Sequence, residues 1–164
     1  MLCAAALMCG ILGGSGIAAQ AAEGEPVDGS YLTHQDSAVG QAVLKTRGVY
    51  LMEGDCSISG AGRGRIYVYA STTANMDVDY VGVVVYVDRY DESDGKWGQY
   101  YTWTAEDTDT YYVSTSDTLT VENGYYYRVR ADHIAGPDDG VKDTANSATD
   151  GIWIGTTPPP DSES

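Results

Sequence analysis

Val81, Val83, Val85 and Val87 recur at every second position. That spacing suits a β-strand, whose successive side chains point to opposite faces. The four valines form a β-branched stripe fit for a core, with Val83 and Val85 at its centre. Tyr80, Val84, Tyr86 and Asp88 fall on the reverse face. Around them a strand is predicted over 78–90. The Asp94-Gly95 pair within 91–95 predicts a hairpin turn, and the return strand over 96–104 carries Trp97, Tyr101 and Trp103 on one face.

The same period of two runs through the rest of the chain. Over 65–72, Ile66, Val68 and Ala70 face one way and Tyr67 and Tyr69 the other; residues 73–75 then break the strand. A strand at 49–52 ends in a turn at Gly54-Asp55. Short strands follow at 110–115 and 118–121, and another at 151–154. Asn123-Gly124 marks a turn, after which Tyr125, Tyr127, Val129 and Ala131 share one face. Tyr126, Arg128 and Arg130 share the other, read as polar and solvated. About seven strands at intervals of roughly ten residues, with no convincing helix in the mature chain, predict an all-β, two-sheet sandwich.

The expected organisation has four parts. Residues 1–21 are apolar and uncharged and end in Ala19-Gln20-Ala21, which reads as a secretory signal peptide. Residues 22–46 are polar and broken, expected as a mobile leader with room for a short edge strand or helical turn near its end, and the sandwich occupies 47–155. Residues 156–164, with Pro158-Pro159-Pro160 and an acidic end, are expected to be disordered. Cys3 and Cys9 leave with the signal, so Cys56 has no intramolecular disulfide partner and is read as a small, partly buried residue.

With 24 acidic against 9 basic residues, the formal charge is −15. Such a charge opposes nucleic acid and anionic membrane surfaces, which attract clustered Lys and Arg. No membrane association is expected after signal cleavage, and the secreted chain is expected to be a monomer.

Two resemblances add to this reading. Leu119, Gly124-Tyr125, Tyr127, Val129 and Ala131 resemble the tyrosine-corner region of immunoglobulin-like and fibronectin type III-like domains. There the tyrosine opening strand F bonds back to the turn before it, a role that would fall to Tyr125 with Tyr127 as the alternate. A wider stretch, from residue 47 to about 154, is similar to small secreted proteins of Gram-positive gut bacteria with no assigned function. It is carried by Thr46-Arg47-Gly48-Val49-Tyr50-Leu51, the 83–90 strand, Gly95-Lys96-Trp97, Trp103-Thr104, and Gly124-Tyr125-Tyr126-Tyr127-Arg128-Val129. This likeness implies a fold and a location, with no catalytic residues.

Catalytic chemistry finds little to work with. His34 lies in the leader and His133 at a strand end, and nothing in the sequence places a Ser or Asp beside either. The carboxylates fall mostly in turns, where Asp is favoured for backbone reasons. No catalytic residue and no required cofactor are expected. Calcium is a candidate ligand of two acidic loops, Asp91, Glu92 and Asp94, and Asp138, Asp139, Asp143 and Asp150, because adjacent Asp in an extracellular loop supply hard oxygen ligands. On the polar faces, Tyr86, Tyr100 and Tyr126 are candidates for a row of rings that stacks on sugars; the competing reading is cross-strand packing. The expected role is a non-catalytic extracellular binding or structural domain that meets a protein or surface partner; the alternative is a carbohydrate-binding module using exposed Tyr and Trp, and an acid-paired hydrolase comes third.

Overall fold

The computed structural model describes residues 24–44 and 48–156. The signal peptide expected at 1–21 and the Pro-rich stretch from residue 157 lie outside them. Among the described residues there is no helix, and ten strands form two sheets.

The large sheet is built on β5 (Tyr80–Asp91), which pairs with β6 (Lys96–Asp107) on one side and β8 (Tyr125–Gly136) on the other. Two strands share the far edge of β8: β9 (Asp143–Ala148) lies along its second half and β10 (Gly151–Ile154) along its first. Thr149 joins them, its backbone N–H donating to Val129 O at 2.9 Å and its Oγ1 accepting from Val129 N at 3.0 Å. A short β1 (Leu32–Thr33) adds to β10 in parallel. The small sheet runs β2-β3-β4-β7, from β2 (Ser37–Gln41), β3 (Leu51–Gly60), β4 (Arg65–Val78) and β7 (Thr110–Thr120), all antiparallel.

The valine stripe lies where its period places it. Val81, Val83, Val85 and Val87 are all fully buried, facing Cys56, Ile58, Ile66, Val68 and Ala70 of the small sheet in one cluster. Each buried Val side chain contributes about 1.5–3 kcal/mol. Val129, Ala131, Tyr127 and Ile152 complete the large sheet's side of that core, and Trp103 packs at its margin, donating Nε1–H to Thr115 Oγ1 at 3.0 Å.

Several expectations change. Residues 24–44 do not trail as a mobile leader: they supply one strand to each sheet. Gly54-Asp55 is not a turn, since β3 runs straight through it; a side chain at Gly54 would overlap the imidazole of His133. The 73–75 break is a shift in register within β4, and the two short strands at 110–121 are one strand, β7. β9 arises in a Gly-, Asp- and Asn-rich stretch expected as loop. An extra residue at Tyr100 separates Tyr101, opposite Val87, from Gln99, opposite Asp88. One inserted residue reverses the facing of everything beyond it. Trp97 therefore lies against Tyr90 and Arg128, away from Tyr101 and Trp103.

The tyrosine corner falls to the alternate residue. Tyr127, fully buried, donates its hydroxyl to Glu122 O at 2.9 Å, while Tyr125 is half-buried under the Arg89 guanidinium. Burial pushes the Tyr127 phenol well above its ordinary pKa. Removing that hydroxyl in Tyr127→Phe should cost about 1 kcal/mol, because the Glu122 carbonyl loses its donor. Tyr125→Phe should cost less than about 0.5 kcal/mol. Urea denaturation of the two variants separates these values, and equal losses would return the corner to Tyr125.

Candidate binding face

The rings expected to line up for sugar stacking are dispersed. Tyr86 and Tyr126 do share the outer face of the large sheet, but Tyr126 is only 2 % exposed. Trp153 packs edge-on against it with ring centroids 5.0 Å apart, and Tyr90 at 6.5 Å. Tyr86 is half-buried: its hydroxyl donates to Asp132 at 3.1 Å and the Arg130 guanidinium lies over its ring at 4.9 Å. Tyr100, displaced by the bulge, turns to the opposite side, where its ring meets Tyr127 at 5.5 Å. No row forms.

The leader explains the burial. Its turn at Val27–Ser30 lies over the outer face of β8, and Arg128 beneath it is 1 % exposed. Arg128 donates to Asp88 (3.0 Å), to Asp28 O (2.9 Å), to Ser30 Oγ (3.1 Å) and to the Asp28 carboxylate (2.7 Å). The part of the face read as polar and solvated that holds Tyr126 and Arg128 is thus internal, while Arg130 beside it stays part-exposed.

The acidic residues are also separated. The Asp143 carboxylate accepts N–H bonds from Tyr50 (2.6 Å) and Leu51 (3.1 Å), and Asp150 accepts one from Tyr31 at 2.9 Å. Asp138 and Asp139 are exposed, and the backbone N–H of Asp138 donates to Asp79. In the other loop, Asp91 and Asp94 accept backbone N–H bonds from Ser93 and Lys96. The described residues hold no group of three or more His, Cys, Asp or Glu placed to hold a metal ion, so the expected calcium loops are not assembled. Most of these carboxylates instead pin the backbone.

Open rings lie on the other sheet. In the small sheet, directly paired residues share a face, which makes the outer surface readable as rows across the strands. One row is Ser37, Ser59, Tyr67, Thr118; the next is Val39, Ser57, Tyr69, Ser116. Gln41, Asp55, Ser71 and Ser114 follow, and then Glu53, Thr73 and Tyr112. Tyr67 is 41 % exposed and Tyr112 39 %. Ser71, though on the outer face, is buried.

At its centre Tyr69 and Tyr112 meet hydroxyl to hydroxyl at 2.8 Å. Ser114, Tyr69 and Ser71 hold the Tyr112 phenol below its ordinary pKa. Ser71 pulls the Tyr69 phenol down too, but its bond to Tyr112 and its burial outweigh that and leave it raised. Either hydroxyl can donate in this bond. The result is a surface that carries three Tyr side chains, two of them joined through their hydroxyls, edged by Ser and Thr hydroxyls that can donate and accept. Tyr offers an apolar ring face and a wet hydroxyl at small entropic cost on ordering.

The sequence alternation placed Tyr67 and Tyr69 opposite the core-facing Ile66 and Val68, so this face carried a signal. Tyr112 and the Ser114, Ser116, Thr118 series join it only through the β4–β7 pairing.

A model of a family of unknown function (DUF6147) matches residues 19–152. The chain belongs to that family. No curated protein matches it. The DUF6147 match takes in β1 and β2 as well as both sheets, so the leader strands lie within the family's span.

Proposed function

We propose that this DUF6147 chain is a secreted, non-catalytic binding domain that takes a neutral glycan on the outer face of its small sheet. The observation that carries the reading is the Tyr67, Tyr69 and Tyr112 platform among Ser and Thr hydroxyls. Flat rings match the apolar faces of sugar rings, and a lattice of hydroxyls matches their edges. Asp55 and Glu53 are the acids in these rows, so most of the surface is uncharged.

Export is supported by the uncharged apolar run of residues 1–21 and its Ala19-Gln20-Ala21 end. A fibronectin type III-like architecture is supported by the neighbour orders β3-β4-β7 and β10-β8-β5-β6 and by the Tyr127 bond to Glu122. The domain acts as a monomer in this reading.

A glycan array followed by affinity electrophoresis tests the proposal. The chain should be retained by at least one neutral polysaccharide. The Tyr67→Ala, Tyr112→Ala double variant should lose at least about tenfold in affinity, equivalent to about 1.4 kcal/mol. Its stability should fall by no more than the ~0.2–1 kcal/mol that each cross-strand pair contributes. No retention on any glycan, or unchanged retention by the double variant, would defeat the reading. Unfolding of the variant would make the rings packing residues.

A further inference from the structure

Three polar side chains, with Cys56 in the same core, form a chain through the otherwise apolar interior, and the binding reading makes no use of them. His133, on β8, is fully buried, and so are Thr72 on β4 and Cys56 on β3, with Ser147 on β9 4 % exposed. His133 Nδ1 lies 2.9 Å from Thr72 Oγ1 and Nε2 lies 2.7 Å from Ser147 Oγ. Sequence reasoning had placed no Ser beside this histidine.

Thr72 Oγ1 lies within reach of both the Gly82 carbonyl, at 3.0 Å, and His133 Nδ1. We assign its one hydroxyl hydrogen to Gly82 O; its oxygen then accepts from His133, and the ring carries its proton on Nδ1. Nε2 is left as an acceptor, filled by the Ser147 hydroxyl. The bonds run one way, from β9 through His133 to β4 and on to the Gly82 carbonyl of β5, and they tie the small sheet to the large one.

That arrangement holds the neutral ring. A second proton, on Nε2, requires the Ser147 hydroxyl to turn from donor to acceptor, and the ring is walled by Gly54, where even a methyl would overlap it. The titratable groups around it are Cys56 and Asp55 of β3 and Asp132 of its own strand. β4, β5 and β9 present Ser71, Thr72, Val83 and Ser147, which do not titrate. Asp132 is engaged on the outer face by Tyr86 and Asn146, and Asp55 is only half-buried. Burial pushes the Cys56 thiol up to about 11, so it stays neutral and supplies no counter-charge.

We propose that His133 is an acid-sensitive latch between the two sheets: neutral, it joins them, and on protonation it releases them.

The direction can be worked out. Desolvation by burial lowers the His133 pKa in the folded chain below its unfolded value of about 6.5. The unfolded chain therefore binds the proton first. The stabilisation is complete above pH ~6.5 and is lost as pH falls below it, until the folded pKa is reached. Linkage from this one group raises the unfolding constant between pH 7 and pH 5.5, by at most about eightfold.

The test is urea denaturation of the full chain at those two pH values, beside His133→Gln and, as a control for the exposed leader histidine, His34→Gln. The wild type and His34→Gln should show this rise, and His133→Gln should lose it. Imidazole NMR of the wild type supplies a check that needs no variant: the His133 ring should keep its Nδ1–H tautomer at pH 5.5 while the chain is folded. A His133 ring that titrates near pH 6.5 in the folded chain would overturn the latch. So would a rise that survives in His133→Gln.

Discussion

Replacing Arg128 with alanine should lower stability by about 3–5 kcal/mol, the range seen when one partner of a buried ion pair is removed. The reasoning rests on how completely this guanidinium is used. It is 1 % exposed, stacks 4.7 Å from the Trp97 ring, and donates to Asp88, Asp28 and Ser30. Asp88 is itself buried and is shared with Arg130, whose Nε and Nη2 reach it at 2.6 and 3.1 Å. Two cations and two carboxylates balance one another here. Without Arg128, Arg130 alone faces Asp88, and the Asp28 carbonyl and Ser30 hydroxyl lose a donor. Arg128 is also the side chain that grips the leader; its hydrogen bond to Asp28 and its charge hold that carboxyl below the ordinary range. Arg128→Ala should therefore shift the urea midpoint and also raise hydrogen exchange across residues 27–41. A loss under about 1 kcal/mol, or a leader still protected, would mean that the leader is held by its strand pairing alone.

A second large effect is expected at Gly40, in the middle of β2. A Cβ there would overlap the Ala148 carbonyl and lie 2.9 Å from the Thr149 nitrogen. Both obstacles are backbone atoms at the edge of the other sheet, so no side chain can turn aside to make room. Gly40→Ala should cost at least the ~1–3 kcal/mol typical of overpacking and should lift β2 from the sandwich. Val39→Ala, one residue away at a side chain 71 % exposed, should change stability by less than about 0.5 kcal/mol. Equal effects at the two positions, read by thermal denaturation, would show that β2 does not close against β9.

These two residues also mark the limit of what could be read from the chain before its structure. The valines from 81 to 87 and the 125–131 alternation located two neighbouring strands and their core faces, because period-two burial is a local signal. The Asp94-Gly95 hairpin was legible for the same reason: Gly95 takes the positive φ that such a turn needs. Other features depended on distant parts of the chain. Tyr126 and Arg128 alternate as an outward face, yet Trp153 and Tyr90 pack on the first, and Val27 to Ser30, about a hundred residues earlier in sequence, covers the second. The bulge at Tyr100 is one residue of register and reverses the facing of Trp97. β9 carries Ala145 and Ser147 on its inner face, too small and polar to register as a hydrophobic stripe, and it is held there by pairing with β8. The proposed binding face was half visible. Tyr67 and Tyr69 were placed opposite the core, but Tyr112 joins them only because β7 pairs with β4.

The most direct measurement is an amide NMR titration of the labelled chain with an oligosaccharide of whichever neutral polysaccharide retains it. The account predicts shifts concentrated on the outer rows of the small sheet, at Tyr67, Tyr69, Ser57, Ser116 and Tyr112, with the amides around Tyr86 and Arg130 unmoved. Shifts gathered instead on the large sheet, or none at saturating sugar, would contradict it.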